Sequence, residues 1–489
     1  MLKDAFARFS RHTVIYAIAG QSSRIVSFVM IRFFTKHIDL GGYGVNEMLS
    51  VMLSVLAYLA GINMADTMAR YYFDSADAKY RRTVVSTAVL AVAGASLLLG
   101  ALLALGAAPI GRLLGGDSPD MTRLVLITLG ILVLQTLREM FFSYLRIEER
   151  STAFGVVSLC KSAIEIGLQI WLVGYRDMGV LGMFWAVLAG EFLAVLFMSL
   201  WVLPAVGLGF SRPLFRSMAL FVAPLIPTGI LQFCLHSGDR FILKWMTNEE
   251  QVGIYALAYK LGLVPNLLLL SPFLLVWYPY VFSLADDEKR RHFMARFTPY
   301  FMFAMTVACL GVALLAREVV TLMAGKVEYR PAWIAIGPVC AGYWFWGCFQ
   351  IVQTGFHIRR QTRHMPALTA VAVAVNILLN VALIPSLGFV ACAWVTMVTF
   401  AVLFAITVRA VRPVFPVPWP WRRVFVPALS AAALCVAGSV ADLAPGMTSI
   451  GIKLTGFLLW LTWMWAGGFL GPDERNALTG VLRGFIRKD

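Results

Sequence analysis

Residues 83–107 read TVVSTAVLAVAGASLLLGALLALGA, a run of 25 positions without a charged side chain. A helix of about 20 apolar residues crosses the ~30 Å hydrocarbon core of a bilayer. Similar stretches precede and follow this one, and fourteen spans are predicted: 13–35, 45–63, 83–107, 121–143, 153–174, 180–203, 216–243, 252–276, 297–316, 331–353, 366–385, 388–408, 425–443 and 452–471. The sequence therefore predicts an all-α polytopic membrane protein.

The composition excludes a soluble globular protein. Hydrophobic residues make up 60% of the chain and charged residues 14%, whereas soluble domains carry about 25% charged residues. The seven cysteines all lie within predicted spans and show neither a CxxC motif nor a Cys/His ligand spacing, so we predict no disulfide and no metal site. The chain has no nucleophile elbow and no phosphate-binding loop. We therefore predict a protein that is not an enzyme and needs no cofactor.

The loops between the spans alternate in charge. The N-terminal tail and the even loops hold 27 Lys and Arg residues, among them Arg138, and the odd loops hold nine, among them Lys453. Because an excess of basic residues marks the cytoplasmic side, both termini are predicted to be cytoplasmic. This distribution also accounts for the net charge of +15, so no nucleic acid partner is predicted. The longest polar stretch, 286–296, is predicted to be a loop.

The chain also contains an internal repeat. Three pairs of residues recur at an offset of 209 positions: Gly44 and Gly253, Gly179 and Gly388, and Trp185 and Trp394. Six spans separate equivalent positions, so both halves enter the membrane in the same sense, as in parallel-repeat transporters. We predict a six-helix lobe at 1–211, a second at 212–412, and an appendage at 413–489 that holds helices 13 and 14.

Several cationic residues lie inside or at the edge of predicted spans. Arg24 lies near the middle of the first span, where an Arg costs ~2.5–3.5 kcal/mol on insertion scales, so it should face a wet or protein-lined interior. Arg32, Arg240 and Lys260 are further candidates, although Arg32 and Arg240 lie close enough to the membrane surface to snorkel. With Lys161, these cations outnumber the acids in the spans. The excess predicts an interior that binds an anion such as a diphosphate.

Three acidic residues within spans are candidates for coupling transport to an ion: Glu165, Glu191 and Asp239. Glu165 follows Lys161 by four positions, so an intrahelical ion pair is the alternative interpretation. Asp239 and Arg240 are adjacent and point in different directions from a helix, so they are predicted to be poor partners for each other.

The tenth predicted span mixes aromatic rings with amides. Aromatic faces can stack on sugars, and amides can bind hydroxyl groups. This pattern predicts glycan contacts from Tyr343, Trp346, Gln350 and Gln353. Packing between helices and anchoring at the membrane surface are the alternatives.

Two stretches resemble a known family. The first lies within 224–260 and includes DRFIL at 239–243, VGIYA at 252–256 and AYK at 258–260; the second is NILLNVALIP at 376–385, followed by Gly388. The chain thus resembles the polysaccharide-lipid flippases of the multidrug/oligosaccharidyl-lipid/polysaccharide (MOP) exporter superfamily. The first stretch is similar to the O-antigen and exopolysaccharide exporter type, and the second resembles a pattern shared more widely in the superfamily. Helices 13 and 14 resemble the extra pair of the lipid II flippase branch, which would offer a groove for a lipid tail.

The resemblance implies a MATE-like fold of two lobes around a cavity that opens alternately to each side of the bacterial inner membrane. The implied cargo is an undecaprenyl-diphosphate-linked oligosaccharide, and the implied partners are the bilayer, a polysaccharide polymerase and chain-length machinery. A multidrug cation antiporter of the same fold is one alternative, although its site should lean acidic. A membrane-embedded glycan polymerase or glycosyltransferase is another, and a non-transporting scaffold with a dry, charge-paired interior is a third.

Overall fold

The computed structural model describes residues 30–115, 119–223, 225–284, 286–359, 361, 364–441 and 446–466. Within these ranges the chain is predominantly helical and contains no strand. Eleven helical stretches among the described residues are long and apolar enough to cross a membrane, as judged by length and composition. The predicted class, an all-α polytopic membrane protein, is confirmed.

A helical segment at 30–37 comes first among the described residues. The helices that follow in the first half of the chain are α1 (Leu40–Leu59), α2 (Met64–Tyr72), α3 (Ala78–Leu105), α4 (Ala107–Gly115), α5 (Pro119–Ile147), α6 (Ser151–Gln169), α7 (Gly179–Val206), α8 (Arg212–Val222), α9 (Leu225–Ser237) and α10 (Asp239–Met246). A π-helical turn, Ile170–Tyr175, extends α6.

The second half of the described chain is built in the same way. Its helices are α11 (Glu249–Gly262), α12 (Ser271–Ser283), α13 (Asp287–Leu314), α14 (Ala316–Met323), α15 (Trp333–Val352), α16 (Thr354–Ile358), α17 (Met365–Leu387), α18 (Phe389–Val411), α19 (Trp421–Ala441) and α20 (Gly446–Ala466). A π-helical turn at Asn266–Leu270 joins α11 to α12, and a 3-10 helix at Val327–Ala332 precedes α15.

Eleven of the fourteen predicted spans coincide with these membrane-length helices. The predicted span 216–243 is instead divided among α8, α9 and α10, with breaks near Ala223 and at Gly238. The predicted spans 13–35 and 452–471 run into residues that the structure does not describe. The total of fourteen therefore stays a prediction.

The polar stretch 286–296 is helical, and its prediction as a loop is wrong. Asp286 caps α13 by accepting a hydrogen bond from the backbone N–H of Glu288 at 3.1 Å. Asp287 and Glu288 then occupy the first turn, where carboxylates interact favourably with the positive end of the helix dipole. Sequence polarity here indicates a helix that extends out of the apolar layer.

The internal repeat reappears in the backbone. Gly179 and Gly388 both adopt left-handed conformations, with φ of 53° and 55°, directly at the start of α7 and α18. Glycine enters this region without the steric penalty that a Cβ brings. Trp185 and Trp394, six residues farther on, are 45% and 47% exposed. The equivalent turns therefore lead into helices that present equivalent tryptophans.

The other repeated glycines, Gly44 on α1 and Gly253 on α11, lie where main chain meets main chain. A Cβ atom on Gly44 would lie 1.9 Å from the carbonyl oxygen of Glu249, and one on Gly253 would lie 2.4 Å from that of Leu40 and 3.2 Å from the Gly44 nitrogen. Real Cβ contacts are not that short, so only glycine fits at both positions.

The described chain divides into two compact units. The first contains the described residues through Leu257 together with Val320–Ala332 and Arg363–Val395. Four fully buried methionines from α2, α5, α7 and α8 belong to its core: Met68, Met140, Met198 and Met218. The flexible thioether side chain suits such irregular space between helices.

The second unit contains Ala258–Val319, Trp333–Thr362 and the described residues from Thr396 onward. In it, α20 packs through Trp460 on Phe303 of α13, with stacked rings 5.8 Å apart. The Lys453 Nζ donates to Glu318 Oε1 at 2.8 Å, and the lysine side chain is 2% exposed. Lys453 is therefore a buried ion-pair residue, and its placement in a loop was wrong. The predicted lobe boundaries, 1–211, 212–412 and 413–489, stay predictions.

Candidate functional site

The structure places the predicted diphosphate-binding residues in different surroundings. Arg24 lies outside the described residues. Arg32 is exposed and donates a hydrogen bond to the carbonyl of Leu322 on α14. Lys260 is half-buried near the end of α11. None of these observations tests the predicted role, which stays a prediction.

Arg240 is buried, and two carboxylates bind it. Its Nε donates to Glu47 Oε1 on α1 at 2.7 Å, and its Nη1 lies 3.2 Å from Asp239 Oδ1. The Arg240 guanidinium lies 5.4 Å from the centre of the Tyr255 ring, and the Tyr255 hydroxyl donates to Asp239 Oδ2 at 2.5 Å. The charge of Arg240 is therefore compensated in this conformation, because a buried cation is stable only when it is paired.

The interpretation of Asp239 and Arg240 as poor partners was wrong. The helix breaks at Gly238, so Asp239 opens α10 and Arg240 follows within the same first turn. The long guanidinium side chain also donates through Nη1 to the carbonyl of His236 at 3.0 Å, in the preceding helix. It therefore folds back over the break, where the short Asp239 side chain can reach it.

A second cluster of buried charges joins α5, α6 and α7. Arg138 binds Glu191 at 2.7 Å and Glu139 at 2.8 Å, while Lys161 binds Glu165 at 2.7 Å and Glu191 at 3.3 Å. The Glu191 side chain is 4% exposed, and the side chains of Arg138, Lys161 and Glu165 are 12–16% exposed. Three carboxylates thus face two cations.

The structure corrects the predicted position of Arg138 and adds a partner to the predicted pair of Lys161 and Glu165. Arg138 was placed in a cytoplasmic loop, which is wrong, because it lies in α5 and is paired with Glu191 on α7. Its position inside the predicted span 121–143 was the signal that could have identified it. The alternative of an intrahelical pair between Lys161 and Glu165 is observed, but Lys161 also reaches Glu191 on the neighbouring helix.

Three of the predicted glycan-binding residues lie on α15, and the fourth, Gln353, is the N-cap residue of α16. All four pack against other side chains. Tyr343 is 3% exposed and hydrogen bonds with the hydroxyl of Tyr259. Trp346 is 9% exposed and lies 5.1 Å from the Phe400 ring. Gln353 donates to the side chain of Gln350. These contacts agree with the alternative interpretation, in which the residues pack between helices. A role in binding glycan stays a prediction.

Eight of the predicted site residues fall into three groups: Arg240 with Asp239, Glu165 with Glu191, and the set of Tyr343, Trp346, Gln350 and Gln353. Glu47, Arg138 and Glu139 complete the first two groups, and sequence reasoning did not identify them as partners. Within the described ranges, no cluster of three His, Cys, Asp or Glu side chains could hold a metal ion. The first two groups therefore bury charged side chains that form ion pairs with opposite charges.

Comparison with known proteins gives one family match. A family model described as "Polysaccharide biosynthesis protein" matches residues 42–329. No curated protein sequence matches the chain.

Solved structures show the fold. A lipid II flippase, MurJ, in an inward closed conformation aligns with a TM-score of 0.76 and 15% identity, covering 93% of this chain and 99% of that chain. An inward-facing multidrug resistance MATE family transporter of the MOP superfamily aligns with a TM-score of 0.64 and 15% identity, covering 82% and 97%. A MOP superfamily transporter from Pyrococcus furiosus, described as having a binding pocket of reverse polarity, aligns with a TM-score of 0.55 and 14% identity, covering 82% and 95%.

Proposed function

The chain belongs to the polysaccharide biosynthesis protein family, and from this membership we propose that it is a flippase for a lipid-linked glycan precursor. In this proposal it is not an enzyme. It moves an undecaprenyl-diphosphate-linked oligosaccharide from the cytoplasmic to the periplasmic leaflet of a bacterial inner membrane by alternating access, and the glycan enters O-antigen or exopolysaccharide synthesis.

The observation that carries the proposal is the extent of the structural likeness. The match to the lipid II flippase covers 93% of this chain, whereas the match to the MATE transporter covers 82%. The difference is comparable to the length of the C-terminal hairpin, α19 and α20. This supports a flippase of lipid-linked glycans over a drug exporter, because a long lipid tail needs a surface that a small cation does not.

The diphosphate is assigned to Arg24, Arg32, Arg240 and Lys260. Arginine binds phosphate through two parallel N–H groups, which makes it suitable for this role. Because Glu47 already binds Arg240 at 2.7 Å, an arriving diphosphate has to displace that carboxylate. Substrate binding and release of Glu47 are therefore coupled in this proposal.

The glycan and ion assignments follow from the same proposal. Tyr343, Trp346, Gln350 and Gln353 contact the sugars once their packing opens. Glu165, Glu191 and Asp239 are the groups that couple an ion to transport. The cluster around Glu191 has one more carboxylate than cation, so it can hold a proton within the helices.

The proposed setting is a multi-pass protein with both termini in the cytoplasm. Its partners are the lipid-linked substrate, the bilayer, and a polysaccharide polymerase with chain-length machinery. Nucleic acid is not among them. The positive-inside distribution supports this topology, and it keeps its threefold bias after Arg138 and Lys453 are removed from the loops.

The test is flipping of a labelled undecaprenyl-diphosphate oligosaccharide by the purified full-length protein in liposomes. A membrane-impermeant enzyme or reagent reports how much labelled glycan faces each side. We expect protein-dependent exchange that Arg24→Gln abolishes and that Arg11→Gln, a matched change in the predicted tail, leaves intact. Equal rates with and without protein would contradict the proposal, and an unchanged rate in Arg24→Gln would contradict the role of Arg24.

A second candidate is a multidrug cation antiporter, which the likeness to the MATE transporter favours. Expression in a drug-sensitive host separates the two functions. Resistance to cationic drugs without flipping would support the antiporter. Polymer formation by the purified protein would instead support the glycan polymerase.

A further inference from the structure

A cavity of about 780 Å³ lies at one end of the second unit, apart from the charge clusters described above. It is bounded by the first turns of α13, the end of α18 and the linker that leads to α19. Its lining includes three basic residues, Arg291, His292 and Arg412, one acid, Glu288, and the aromatic rings Phe415, Trp419 and Trp421.

Phe415 forms the floor under two guanidinium groups. It is fully buried, and Arg291 and Arg359 lie 5.1 Å and 5.6 Å from its ring centre. A cation over an aromatic face is attracted by the ring quadrupole. Phe415 therefore attracts both arginines through the face of its ring. Arg359 also binds Asp287, whereas Arg291 makes no ion pair with a carboxylate among the described residues.

The nearby acid is already bound. Asp287 accepts from Arg290 at 2.9 Å and from Arg359 at 2.6 Å. In the part of the chain that the structure describes, Arg291 and Arg412 have no carboxylate partner, and the buried Nε of Arg291 has no hydrogen-bond acceptor. Glu288 also lines the cavity, but it is exposed and makes no ion pair among the described residues. The lining of the cavity therefore has more basic than acidic side chains.

The linker gives the cavity a fixed shape. Pro416 and Pro418 line it between Phe415 and Trp419, and proline fixes its own φ angle. The backbone N–H of Trp421 donates to the carbonyl of Trp419 at 3.0 Å, which closes the turn before α19. The rings of Trp419 and Trp421, both of which line the cavity, lie 5.8 Å apart across this turn.

The position of the cavity matches a membrane surface. Arg291, Arg359, Arg409 and Arg412 all belong to the loops and helix ends that the positive-inside rule assigns to the cytoplasm. Tryptophan is enriched at this level of a membrane, where one side of the ring meets lipid and the other meets water. Basic pockets between helices on the cytoplasmic side suit anionic headgroups.

We propose that this cavity binds the phosphate-bearing headgroup of a lipid in the cytoplasmic leaflet. Arg291 and Arg412 bind the phosphate, and Trp419 and Trp421 contact the glycerol or first prenyl carbons. Its volume is that of a small-ligand pocket. The proposed flippase activity is not needed for this inference, which concerns a separate lipid site beside the C-terminal hairpin.

The test is lipid binding by the purified full-length protein in detergent, measured by native mass spectrometry with phosphatidylglycerol as the probe. We expect Arg412→Ala to weaken binding about fivefold, since one basic group near a membrane surface contributes ~1 kcal/mol. The double variant Arg291→Ala/Arg412→Ala should weaken it at least 25-fold. Arg409→Ala is the matched control, because Arg409 is an exposed arginine in the last turn of α18, close to Arg412 in sequence, and does not line the cavity.

Competing ligands identify the source of the phosphate. Displacement of phosphatidylglycerol by a polyprenyl diphosphate, but not by phosphatidylcholine, would support the site and show that it takes both anionic lipids. Equal displacement by inorganic phosphate would overturn the lipid headgroup as ligand. Equal loss in Arg412→Ala and Arg409→Ala, or no loss in a folded double variant, would overturn the site itself. Because binding is measured without transport, failure here leaves the flippase proposal untouched.

Discussion

The guanidinium of Arg240 and the carboxylate of Glu47 form an ion pair between α10 and α1, with 2.7 Å between Nε and Oε1. The two residues lie 193 positions apart. Their side chains are 3% and 12% exposed, so water screens the pair little. Removing Glu47 leaves Arg240 with Asp239 as its counterion, whereas removing Arg240 takes this cation from both carboxylates.

We expect Glu47→Gln to lower the free energy of unfolding by about 1.5–3 kcal/mol, because it removes a buried hydrogen bond between charged groups while Asp239 remains as a counterion of Arg240. The double variant Glu47→Gln/Arg240→Gln also removes the cation that Asp239 binds, so it should be no more stable than Glu47→Gln. Glu250→Gln, an exposed acid on α11, is the control and should stay within ~0.5 kcal/mol of the parent. Thermal melting in detergent measures all four proteins. Equal losses in Glu47→Gln and Glu250→Gln would contradict the pair.

Gly44→Ala and Gly253→Ala should each be destabilising by about 1–3 kcal/mol, the usual effect of overpacking. The obstacles are carbonyl oxygens at 1.9 Å and 2.4 Å, and main chain cannot move aside as a side chain can. Gly41→Ala is the matched control on α1, since its Cβ would meet only Asp39 Oδ2 at 3.4 Å. The melting temperatures of the three variants test whether Gly44→Ala and Gly253→Ala are less stable than Gly41→Ala. A Gly44→Ala protein as stable as Gly41→Ala would show that the close contact does not form.

Glu191→Gln should destabilise the protein more than Glu165→Gln. Among the described residues of this cluster, Glu191 forms ion pairs with both Arg138 and Lys161, whereas Glu165 forms one with Lys161. Because Arg138 keeps Glu139 and Lys161 keeps Glu165, no cation is left without a counterion, and we expect a loss of about 1.5–3 kcal/mol for Glu191→Gln and less for Glu165→Gln. Glu149→Gln, an exposed acid after α5, should be neutral. Chemical denaturation followed by tryptophan fluorescence ranks the three, and the reverse order would contradict the proposed geometry.

Lys453→Met should loosen α20 from the rest of its unit. The change strands Glu318, whose Oε2 is buried without a partner in the described structure. The double variant Lys453→Met/Glu318→Gln should be more stable than Lys453→Met, because replacing both members of a buried pair removes the stranded charge. Limited proteolysis after α20 and the melting temperature report the change. Glu328→Gln, an exposed acid, serves as the control. A double variant weaker than the single variant would contradict the pairing.

The parts of the fold that depend on local sequence were predictable. Membrane spans follow from runs of apolar residues, and the repeat follows from glycines at equal spacing. Gly179 and Gly388 could be aligned by sequence alone because a left-handed turn allows few other residues. The break of the span 216–243 at Gly238 falls in the polar stretch HSGDR at 236–240, which was the local signal that could have indicated it.

The partners of the buried charges could not be predicted. Glu47 and Arg240 are far apart in sequence, and nothing in the residues near Glu47 indicates which helix it meets. Charge counting without these partners made the interior look more positive than the structure shows around Arg240 and Lys161. Arg138 is the exception, since its place within a predicted span already indicated burial.

The contact between Gly44 and the carbonyl of Glu249 contains no flexible part. Side chains exchange rotamers within picoseconds to nanoseconds, whereas whole helices shift over microseconds to milliseconds. Rotamer changes of side chains cannot separate two backbone segments that are in direct contact. The segments separate only when the helices that carry them move. Any opening at this point therefore takes place on the microsecond-to-millisecond timescale of helix motion.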